Sequence, residues 1–309
     1  MTESNAPTAQ QSTANGGLPK RTAPFLTLTR RGFLAAGALT AAATALAGCG
    51  TAPDGAQAEA AEGRSGTQTL RVGMEAAYAP YNWQVTEASD TTIPIENVSG
   101  AYADGYDVQI AKRVAAALDR EPVAVKLSFD GLIDALTSGQ IDVIIAGMAP
   151  TEERRQSIDF SDPYFEGTYG LFVREGSPYE DARTLADLSG ASVVGQKGTK
   201  LDDIIDEIPG VVHMTPLPSV PNVLAALQQG AADAATYNME NEAAYLRSNP
   251  GIVPVRFDEG EGFPDVVTTG VGVAKGNDEM LAAVNGALAD LSDAERQELW
   301  DGAVERQPE

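Results

Sequence analysis

The chain has 309 residues, of which 43% are hydrophobic, so it is long enough to bury one or two ordinary hydrophobic cores. Its formal net charge of -23 argues against nucleic acid as a partner and is typical of a solvated surface. The chain has a single cysteine, Cys49, which excludes an internal disulfide. It has a single histidine, His213, and the sequence contains no metal-ligand motif. We therefore expect neither a metal nor a cofactor.

Residues 1–48 have the features of an export signal rather than of a folded domain. Residues 29–34, Thr-Arg-Arg-Gly-Phe-Leu, resemble a twin-arginine motif, and an uncharged, alanine-rich run follows from 32 to 48. Residues 46–49, Leu-Ala-Gly-Cys, resemble a bacterial lipobox. The alternative is an uncleaved membrane anchor, but 17 residues rich in Ala and Gly are at the short limit for crossing ~30 Å of hydrocarbon. We therefore expect cleavage before Cys49, lipid attachment to its thiol, and a position on the outer face of the cytoplasmic membrane.

The segment that follows, 49–69, is rich in small and polar residues and has no periodic apolar face, so we expect a flexible tether. Order is predicted to begin with a strand at 70–74. The aromatic residues after this strand, Tyr78, Tyr81 and Trp83, form either a hydrophobic plug under a loop or one wall of a ligand cleft.

Strands and helices alternate in the next part of the chain. Residues 86–104 are polar with little periodicity, which predicts a long loop, either a flap or a surface excursion. Asp107 is predicted to cap a helix, and Pro122 to close it before a strand at 123–127. The apolar face of that helix comprises Ile110, Val114 and Leu118. The alternation indicates an α/β fold with a mainly parallel sheet.

The stretch 128–165 contains the clearest pattern in the sequence. Its apolar residues recur with the spacing of one buried helical face: Phe129, Leu132, Ile133 and Leu136. Gly139 follows, where a helix C-terminus favours a residue that tolerates positive φ. An apolar, β-branched run at 141–146 then predicts a buried strand that ends at Gly147.

A second helix is predicted to begin directly after that strand. Thr151 supplies an N-cap hydroxyl, two acidic residues follow in the first turn, and Arg154 and Arg155 come next. Ligands of open α/β sheets bind at the carboxyl ends of the strands, and a helix N-terminus beside a guanidinium suits a planar carboxylate. We therefore predict a carboxylate-binding surface formed by Arg154 and the backbone N–H groups near Ala149.

A fainter copy of this unit lies 91 residues further on, where 221–238 matches 130–147. The matched pairs are Ala226 with Ala135, Leu227 with Leu136, Gly230 with Gly139, and Asp233 with Asp142. If both units present their strand ends to one crevice, Asn238 lies in that crevice opposite Gly147. The alternative is coincidence, because helix–glycine–strand units recur in every α/β protein and the second copy is Ala-rich with weak strand character.

Two further regions carry local signals. Residues 192–195 predict a strand, and 198–200, Gly-Thr-Lys, predict a turn into a helix whose free N–H groups offer a second anion-binding surface. Near the C-terminus, Ser292 and Glu295 form a capping box for a helix whose Trp300 is predicted to lie in the core. The helix before it has one apolar face, formed by Leu281, Val284, Leu288 and Leu291.

Five stretches together resemble one known family: 73–83, 105–115, 129–136, 138–148 and 151–165. In the same order they are similar to the extracellular solute-binding proteins of polar amino-acid ABC importers, family 3, which have the type II periplasmic-binding-protein fold. The resemblance runs from about Leu70 to the C-terminus. It implies an α/β fold of two lobes, each a mainly parallel sheet with flanking helices, joined by a two-strand hinge. The expected limits are 70–170 plus 257–309 for lobe one and 171–256 for lobe two, with the chain crossing near 169–173 and 253–259.

The resemblance also implies a function. The protein would be a monomeric, substrate-binding lipoprotein that captures an amino acid by closing its lobes and delivers it to a membrane permease with a cytoplasmic ATPase. The alternative is an enzyme similar to cyclohexadienyl dehydratases, which use the same fold, with Glu75 as general acid or base. Because the sequence offers no nucleophile–base pair, we favour binding without catalysis.

Matching positions in the family imply the roles of individual residues. Tyr78 and Phe129 enclose the ligand side chain, Glu75 lies near that side chain, and the segment from Gln196 to Lys200 contacts the α-carboxylate. The candidate ligand-binding residues are Glu75, Tyr78, Phe129, Gly147, Ala149, Arg154, Gln196, Gly198, Thr199, Lys200 and Asn238.

Two positions depart from the family pattern. Position 149 is usually Ser or Thr, and Ala149 leaves only a backbone N–H for the carboxylate. Position 238 is usually Asp, and Asn238 offers the ligand ammonium a neutral amide. Either Glu75 or Glu240 supplies the missing negative charge, or the ligand is not an ordinary α-amino acid. We favour Glu75 and a polar or cationic amino acid.

Overall fold

The computed structural model of this chain describes residues 68–308. The signal predicted at 1–48, the lipid acceptor Cys49 and most of the predicted tether therefore lie outside the described residues. The last two residues of that tether, Gln68 and Thr69, belong to the first strand.

The strands are β1 (Gln68–Met74), β2 (Ala77–Tyr78), β3 (Asn82–Val85), β4 (Ile93–Pro94), β5 (Tyr102–Asp104), β6 (Arg120–Lys126), β7 (Val143–Ile144), β8 (Ile158–Arg174), β9 (Ser192–Val194), β10 (Val212–His213), β11 (Ala234–Asn238), β12 (Ile252–Pro254) and β13 (Val266–Ala274). The α-helices are α1 (Tyr106–Ala117), α2 (Leu132–Thr137), α3 (Glu152–Ser157), α4 (Lys200–Asp203), α5 (Val220–Gln228), α6 (Glu242–Ser248), α7 (Asp278–Ala289) and α8 (Asp293–Arg306). Short 3₁₀ turns lie at Phe129–Gly131, Leu185–Leu188, Ile204–Glu207 and Met239–Asn241.

Strand β8 connects the two halves of a nine-stranded sheet. The order is β10-β9-β11-β8-β13-β7-β1-β6, and β12 also pairs with β8. The outer strands pair in parallel, β6 and β7 with β1 at one end and β10 and β11 with β9 at the other. By contrast, β8 and β13 run antiparallel to their neighbours. The sheet is therefore mixed, and the predicted α/β fold is confirmed with parallel pairing away from its centre.

The change of partner along β8 marks the junction of two lobes. Up to Thr168 this strand pairs with β13, and from Tyr169 onward it pairs with β11. We call the part built on β1, β6, β7 and β13 lobe one, and the part built on β9, β10, β11 and β12 lobe two. The chain returns to lobe one between β12 and β13, so both crossings lie close to the predicted positions. The residue limits of the lobes stay predictions.

The unit predicted at 128–147 is present. Phe129, Leu132 and Leu136 are buried, and Gly139 has a φ of +74° after the helix. The run 141–146 is apolar apart from Asp142, and its hydrophobic side chains are all buried, although only Val143–Ile144 form regular ladder pairs with β1 and β13. The predicted buried strand is present and is shorter than expected.

The predicted start of α1 is wrong. The helix begins after Gly105, whose φ is +132°, and Asp107 lies inside the first turn instead of capping it. The carboxylate of Asp107 is completely buried, and it accepts hydrogen bonds from two distant side chains. Long-range partners therefore determine its place.

The predictions around α1 also need correction. Pro122 lies within β6 rather than between helix and strand, and because β6 is the outermost strand, its missing N–H is tolerated. The helix ends at Ala117 with Leu118 as its C-cap, and Asp119 follows with a φ of +52°. Residues 86–104 are not simply a loop, because they contain β4 and β5, which complete a four-stranded sheet of order β2-β3-β5-β4.

The second unit repeats the plan of the first. Helix α5 is followed by Gly230 with a φ of +77°, and all five residues of β11 are buried. Asp142 accepts the backbone N–H of Arg71 at 2.8 Å, and Asp233 accepts that of Ser192 at 2.9 Å. The Ala-rich β11 forms because it pairs with β8 on one side and β9 on the other. The C-terminal capping box and the burial of Trp300 are also confirmed.

Candidate ligand-binding site

A small cavity lies where the two lobes meet. Residues of both lobes line it, and most of the predicted binding residues are among them: Tyr78, Phe129, Gly147, Ala149, Arg154, Gln196, Thr199, Lys200 and Asn238. Tyr169, Leu201 and Val267 complete the lining. The structure therefore brings together residues that are far apart in the sequence, such as Tyr78 and Asn238, which are separated by 160 positions.

Two predicted residues, Glu75 and Gly198, lie behind the lining and contact it. The Gln196 Nε2 donates to the Glu75 carboxylate at 2.8 Å, and an Arg154 guanidinium N–H donates to the Gly198 carbonyl at 2.8 Å. Glu75 is only 7% exposed, and burial raises the pKa of its carboxyl, while the hydrogen bond from Gln196 opposes that rise. Both contacts join lobe one to lobe two.

Arg154 is positioned by the start of α3, as the sequence predicts. The Thr151 hydroxyl accepts the Arg154 backbone N–H at 3.3 Å and caps the helix. The guanidinium also donates to the Ala149 carbonyl at 2.6 Å and lies 5.4 Å from the centre of the Phe129 ring. A guanidinium has five N–H donors, so two backbone contacts leave donors for a ligand carboxylate. Burial lowers the pKa of Arg154, but this group stays charged in proteins.

Tyr78 forms one wall of the cavity. Its ring stacks on Tyr81 with centroids 4.8 Å apart, and its hydroxyl accepts the Asn238 Nδ2–H at 2.7 Å. A Cβ at Gly147, where φ is +61°, would lie 3.1 Å from the Tyr78 ring, so glycine lets this wall approach the strand end. Tyr81 and Trp83 are buried and do not line the cavity, so they pack beneath this wall.

Asn238 carries an unsatisfied acceptor. Its Oδ1 is buried and has no hydrogen-bond partner among the described residues, although its Nδ2 is bonded to Tyr78. An acceptor buried without a donor costs roughly 1–3 kcal/mol, so a donor that reaches this oxygen would bind favourably. A ligand ammonium is such a donor.

Lys200 and Thr199 are less available than the sequence suggests. The Lys200 ammonium pairs with the Asp265 carboxylate at 3.0 Å. The Thr199 hydroxyl donates to the Gln196 carbonyl at 2.7 Å and does not cap α4, a helix of only four residues. Both residues line the cavity, but their polar side-chain atoms have partners within the protein.

Glu240, the other carboxylate proposed to compensate for Asn238, points elsewhere. It accepts the Thr168 backbone N–H at 2.8 Å, at the point where β8 changes partner, and it is not among the residues that line the cavity. Its second oxygen is buried without a partner among the described residues, and burial raises the pKa of the group. Of the two carboxylates, only Glu75 contacts a lining residue.

Tyr169, Leu201 and Val267 were not predicted from the sequence. Tyr169 lies directly opposite Asn238 in the β8–β11 register, and no local sequence pattern encodes the register between strands so far apart in the chain. Val267 reaches the cavity through the pairing of β13 with β8. The sequence feature that could have indicated Tyr169 is the presence of an aromatic residue at the predicted crossing between the lobes.

Comparison with known proteins gives one consistent result. The family model for bacterial extracellular solute-binding proteins, family 3, matches residues 70–301. A probable histidine-binding protein of Neisseria gonorrhoeae is 29% identical over 261 residues, which cover 82% of this chain and 88% of the relative. The crystal structure of the substrate-binding protein of an amino acid ABC transporter has a TM-score of 0.66 at 29% identity, covering 77% of this chain and all of that one. An ancestral arginine-binding protein bound to arginine has a TM-score of 0.63 at 32% identity, covering 76% and 97% of the two chains.

These similarities extend over the whole two-lobed body and include the elements that form the cavity. The relatives are binding proteins, which removes support from the dehydratase alternative. This chain belongs to the bacterial extracellular solute-binding proteins, family 3, and is a solute-binding protein rather than an enzyme.

Proposed function

We propose that this protein is the amino-acid-binding component of an ABC importer, anchored by a lipid on the outer face of the cytoplasmic membrane and delivering its ligand to a permease. One observation carries the proposal: one cavity between the lobes is lined by Arg154 of lobe one and by Asn238 of lobe two, whose Oδ1 has no hydrogen-bond partner among the described residues. Such groups suit the carboxylate and the ammonium of one amino acid. The relatives described as histidine-binding and arginine-bound support this ligand class.

Capture would occur by closure of the lobes. The polar contacts that link them include Tyr78 with Asn238, Glu75 with Gln196, Arg154 with the Gly198 carbonyl, and Asp130 with Lys197. These contacts exist only when the lobes are together, so they favour the closed form. A ligand held by residues of both lobes adds to them, because it binds the closed form better than the open one. No chemical step is required.

The ligand is proposed to be polar or cationic. Of the two carboxylates Glu75 and Glu240, Glu75 contacts the lining, through Gln196, whereas Arg154 accounts for only the carboxylate end of an amino acid. A buried carboxylate near the cavity favours a ligand side chain that donates hydrogen bonds or carries a positive charge.

Titration of the purified protein, freed of any carried ligand, with acidic, neutral and basic amino acids tests this proposal. We expect the wild type to prefer polar or cationic amino acids. We expect Glu75→Gln to weaken the binding of cationic ligands by about tenfold, because a charge-assisted hydrogen bond contributes ~1.5–3 kcal/mol and a neutral one ~1 kcal/mol. Asn238→Asp adds a second carboxylate. We expect it to weaken the binding of neutral amino acids and not to weaken the binding of cationic ones.

Glu240→Gln is the matched control, because this carboxylate binds the hinge strand and does not line the cavity. We expect it to leave the ligand preference unchanged. Tight wild-type binding of an acidic amino acid, undiminished by Glu75→Gln, would overturn the ligand assignment. Failure to bind any amino acid would overturn the proposed function.

Lipid attachment gives a separate prediction. When cells grow with a labelled fatty-acid analogue, Cys49→Ala is expected to abolish attachment of the label to this protein, because Cys49 is the only thiol in the chain. Cys49→Ser is a closer control, as it keeps the size of the side chain. Label retained by either variant would show that the lipobox interpretation is wrong. No helix within residues 68–308 is long and apolar enough to cross a membrane.

A further inference from the structure

We infer that Asp107, a buried carboxylate behind the cavity, is a positioning residue that holds both loops of the lobe-one wall in their ligand-binding geometry. The inference rests on the proposed function, because it concerns the same cavity. Asp107 itself does not line that cavity, and nothing in the sequence patterns pointed to it except a helix cap that is not formed.

The first oxygen of Asp107 reaches the end of the central strand unit. Its Oδ1 accepts the Tyr164 hydroxyl at 2.7 Å, and the Tyr164 oxygen in turn accepts the Gly147 backbone N–H at 3.0 Å. Gly147 lines the cavity. This relay therefore fixes the orientation of the peptide that enters Gly147.

The second oxygen reaches the other loop. Its Oδ2 accepts the Asn82 Nδ2–H at 2.7 Å, and the Asn82 Oδ1 accepts the Ala76 backbone N–H at 2.7 Å. Ala76 has a φ of +51°, which is strained for a residue with a Cβ, and it lies between Glu75 and Tyr78. The relay thus holds a strained turn that aims Glu75 and Tyr78.

The relay is buried and needs two acceptors at its centre. Asp107 and Asn82 are 0% exposed and Tyr164 is 1% exposed, so water does not compete for these hydrogen bonds. Burial raises the pKa of Asp107 to about 6, so the group is ionised at pH 7.5. No salt bridge involves Asp107 within residues 68–308, and burying a charge without a counter-ion is costly. The benefit that offsets the cost is that a carboxylate accepts on both sides.

An amide cannot replace it. In Asp107→Asn one side becomes a donor, so the amide N–H₂ faces either the Asn82 N–H₂ or the Tyr164 hydroxyl. Turning Asn82 over to accept from position 107 would direct its own N–H₂ at the Ala76 N–H. Facing Tyr164, the new donor would deprive the tyrosine proton of its acceptor. Either way one arm of the relay is reversed, although size and shape are kept.

The experiment compares Asp107→Asn and Tyr164→Phe with Tyr237→Phe. Tyr237 is equally buried, and its hydroxyl donates to Glu242 at 2.9 Å away from the cavity. Affinities for L-arginine, L-histidine and L-glutamine are measured by calorimetry at pH 7.5, well below the unfolding temperature of each variant. Backbone amide exchange at Ala76 and Gly147 is measured alongside.

We expect the two relay variants to weaken binding about tenfold or more and to speed exchange at the amide of the broken arm. Tyr237→Phe should lose a similar amount of thermal stability and bind within about twofold of the wild type. If Asp107→Asn does not fold, Tyr164→Phe carries the test. Unchanged affinity in the relay variants, or an equal loss in Tyr237→Phe, would overturn the inference while a binding wild type keeps the proposed function. A wild type that binds none of the probes, nor any other amino acid, would instead remove the proposed function and this inference with it.

Discussion

Replacement of Arg154 with alanine is expected to weaken amino-acid binding by a factor of about 30 to 5,000, on the order of 2–5 kcal/mol, with the fold intact. The guanidinium lies at the cavity, held by the Ala149 carbonyl and facing the Phe129 ring, so its N–H groups are fixed before a ligand arrives. Its removal leaves a desolvated ligand carboxylate without a bidentate partner. The same change removes the contact to the Gly198 carbonyl in lobe two, so closure is also weakened.

The chain offers a matched control in the next residue. Arg155→Ala removes a guanidinium of the same helix turn, but this one donates to the Pro150 carbonyl, packs over Phe160 and does not line the cavity. We expect calorimetric titration to show near wild-type affinity for Arg155→Ala. Arg154→Lys should fall between wild type and Arg154→Ala, because it keeps the charge and loses the planar fork. A loss below about threefold in Arg154→Ala would show that the carboxylate binds elsewhere.

The second large effect is expected on stability. Gly105→Ala should lower the free energy of unfolding by about 3–5 kcal/mol, the range of the most damaging single substitutions. A Cβ at this position would lie 2.2 Å from the Tyr81 carbonyl oxygen and 2.9 Å from the Asn82 Cα, both backbone atoms, and the φ of +132° is outside the regions open to alanine. Relief of these overlaps would move the start of α1, including Asp107.

Gly100→Ala is the control that measures the cost of a positive φ alone, without steric overlap of the added Cβ. Its φ is +71° and nothing lies within 4 Å of an added Cβ, so we expect a loss of only about 1 kcal/mol. The free energies of unfolding of both variants are measured by urea titration, with circular dichroism as the readout. Equal losses in the two variants would mean that the close approach of Gly105 to the neighbouring strand does not constrain the fold.

Local interactions explain why much of this protein could be predicted from its sequence. The helix–glycine–strand unit at 128–147, the Thr151 cap and the Ser292 capping box depend on residues a few positions apart, and a short window of sequence contains all of them. The place of Arg154 at the start of a helix after a strand end was predictable for the same reason. Repetition of the unit also directed attention to Asn238, which lines the cavity.

Long-range contacts decided the rest. Asp107 has the sequence context of a helix cap, but its partners Asn82 and Tyr164 lie 25 and 57 residues away, and burial of the carboxylate between them outweighs the local preference. Lys200 was expected to face a carboxylate of the ligand, and its ammonium instead pairs with Asp265 from the returning crossing.

The sequence by itself therefore determined the helix–glycine–strand units, the caps of α3 and α8 and the chemical types available to the site. Only the tertiary structure decided that Tyr169 pairs with Asn238, that Glu75 contacts the lining while Glu240 binds the hinge strand, and which side chains have partners within the protein. The physical reason is that helix periods and caps are set by neighbours in sequence, whereas strand partners and buried hydrogen bonds are set by packing between segments far apart in the chain.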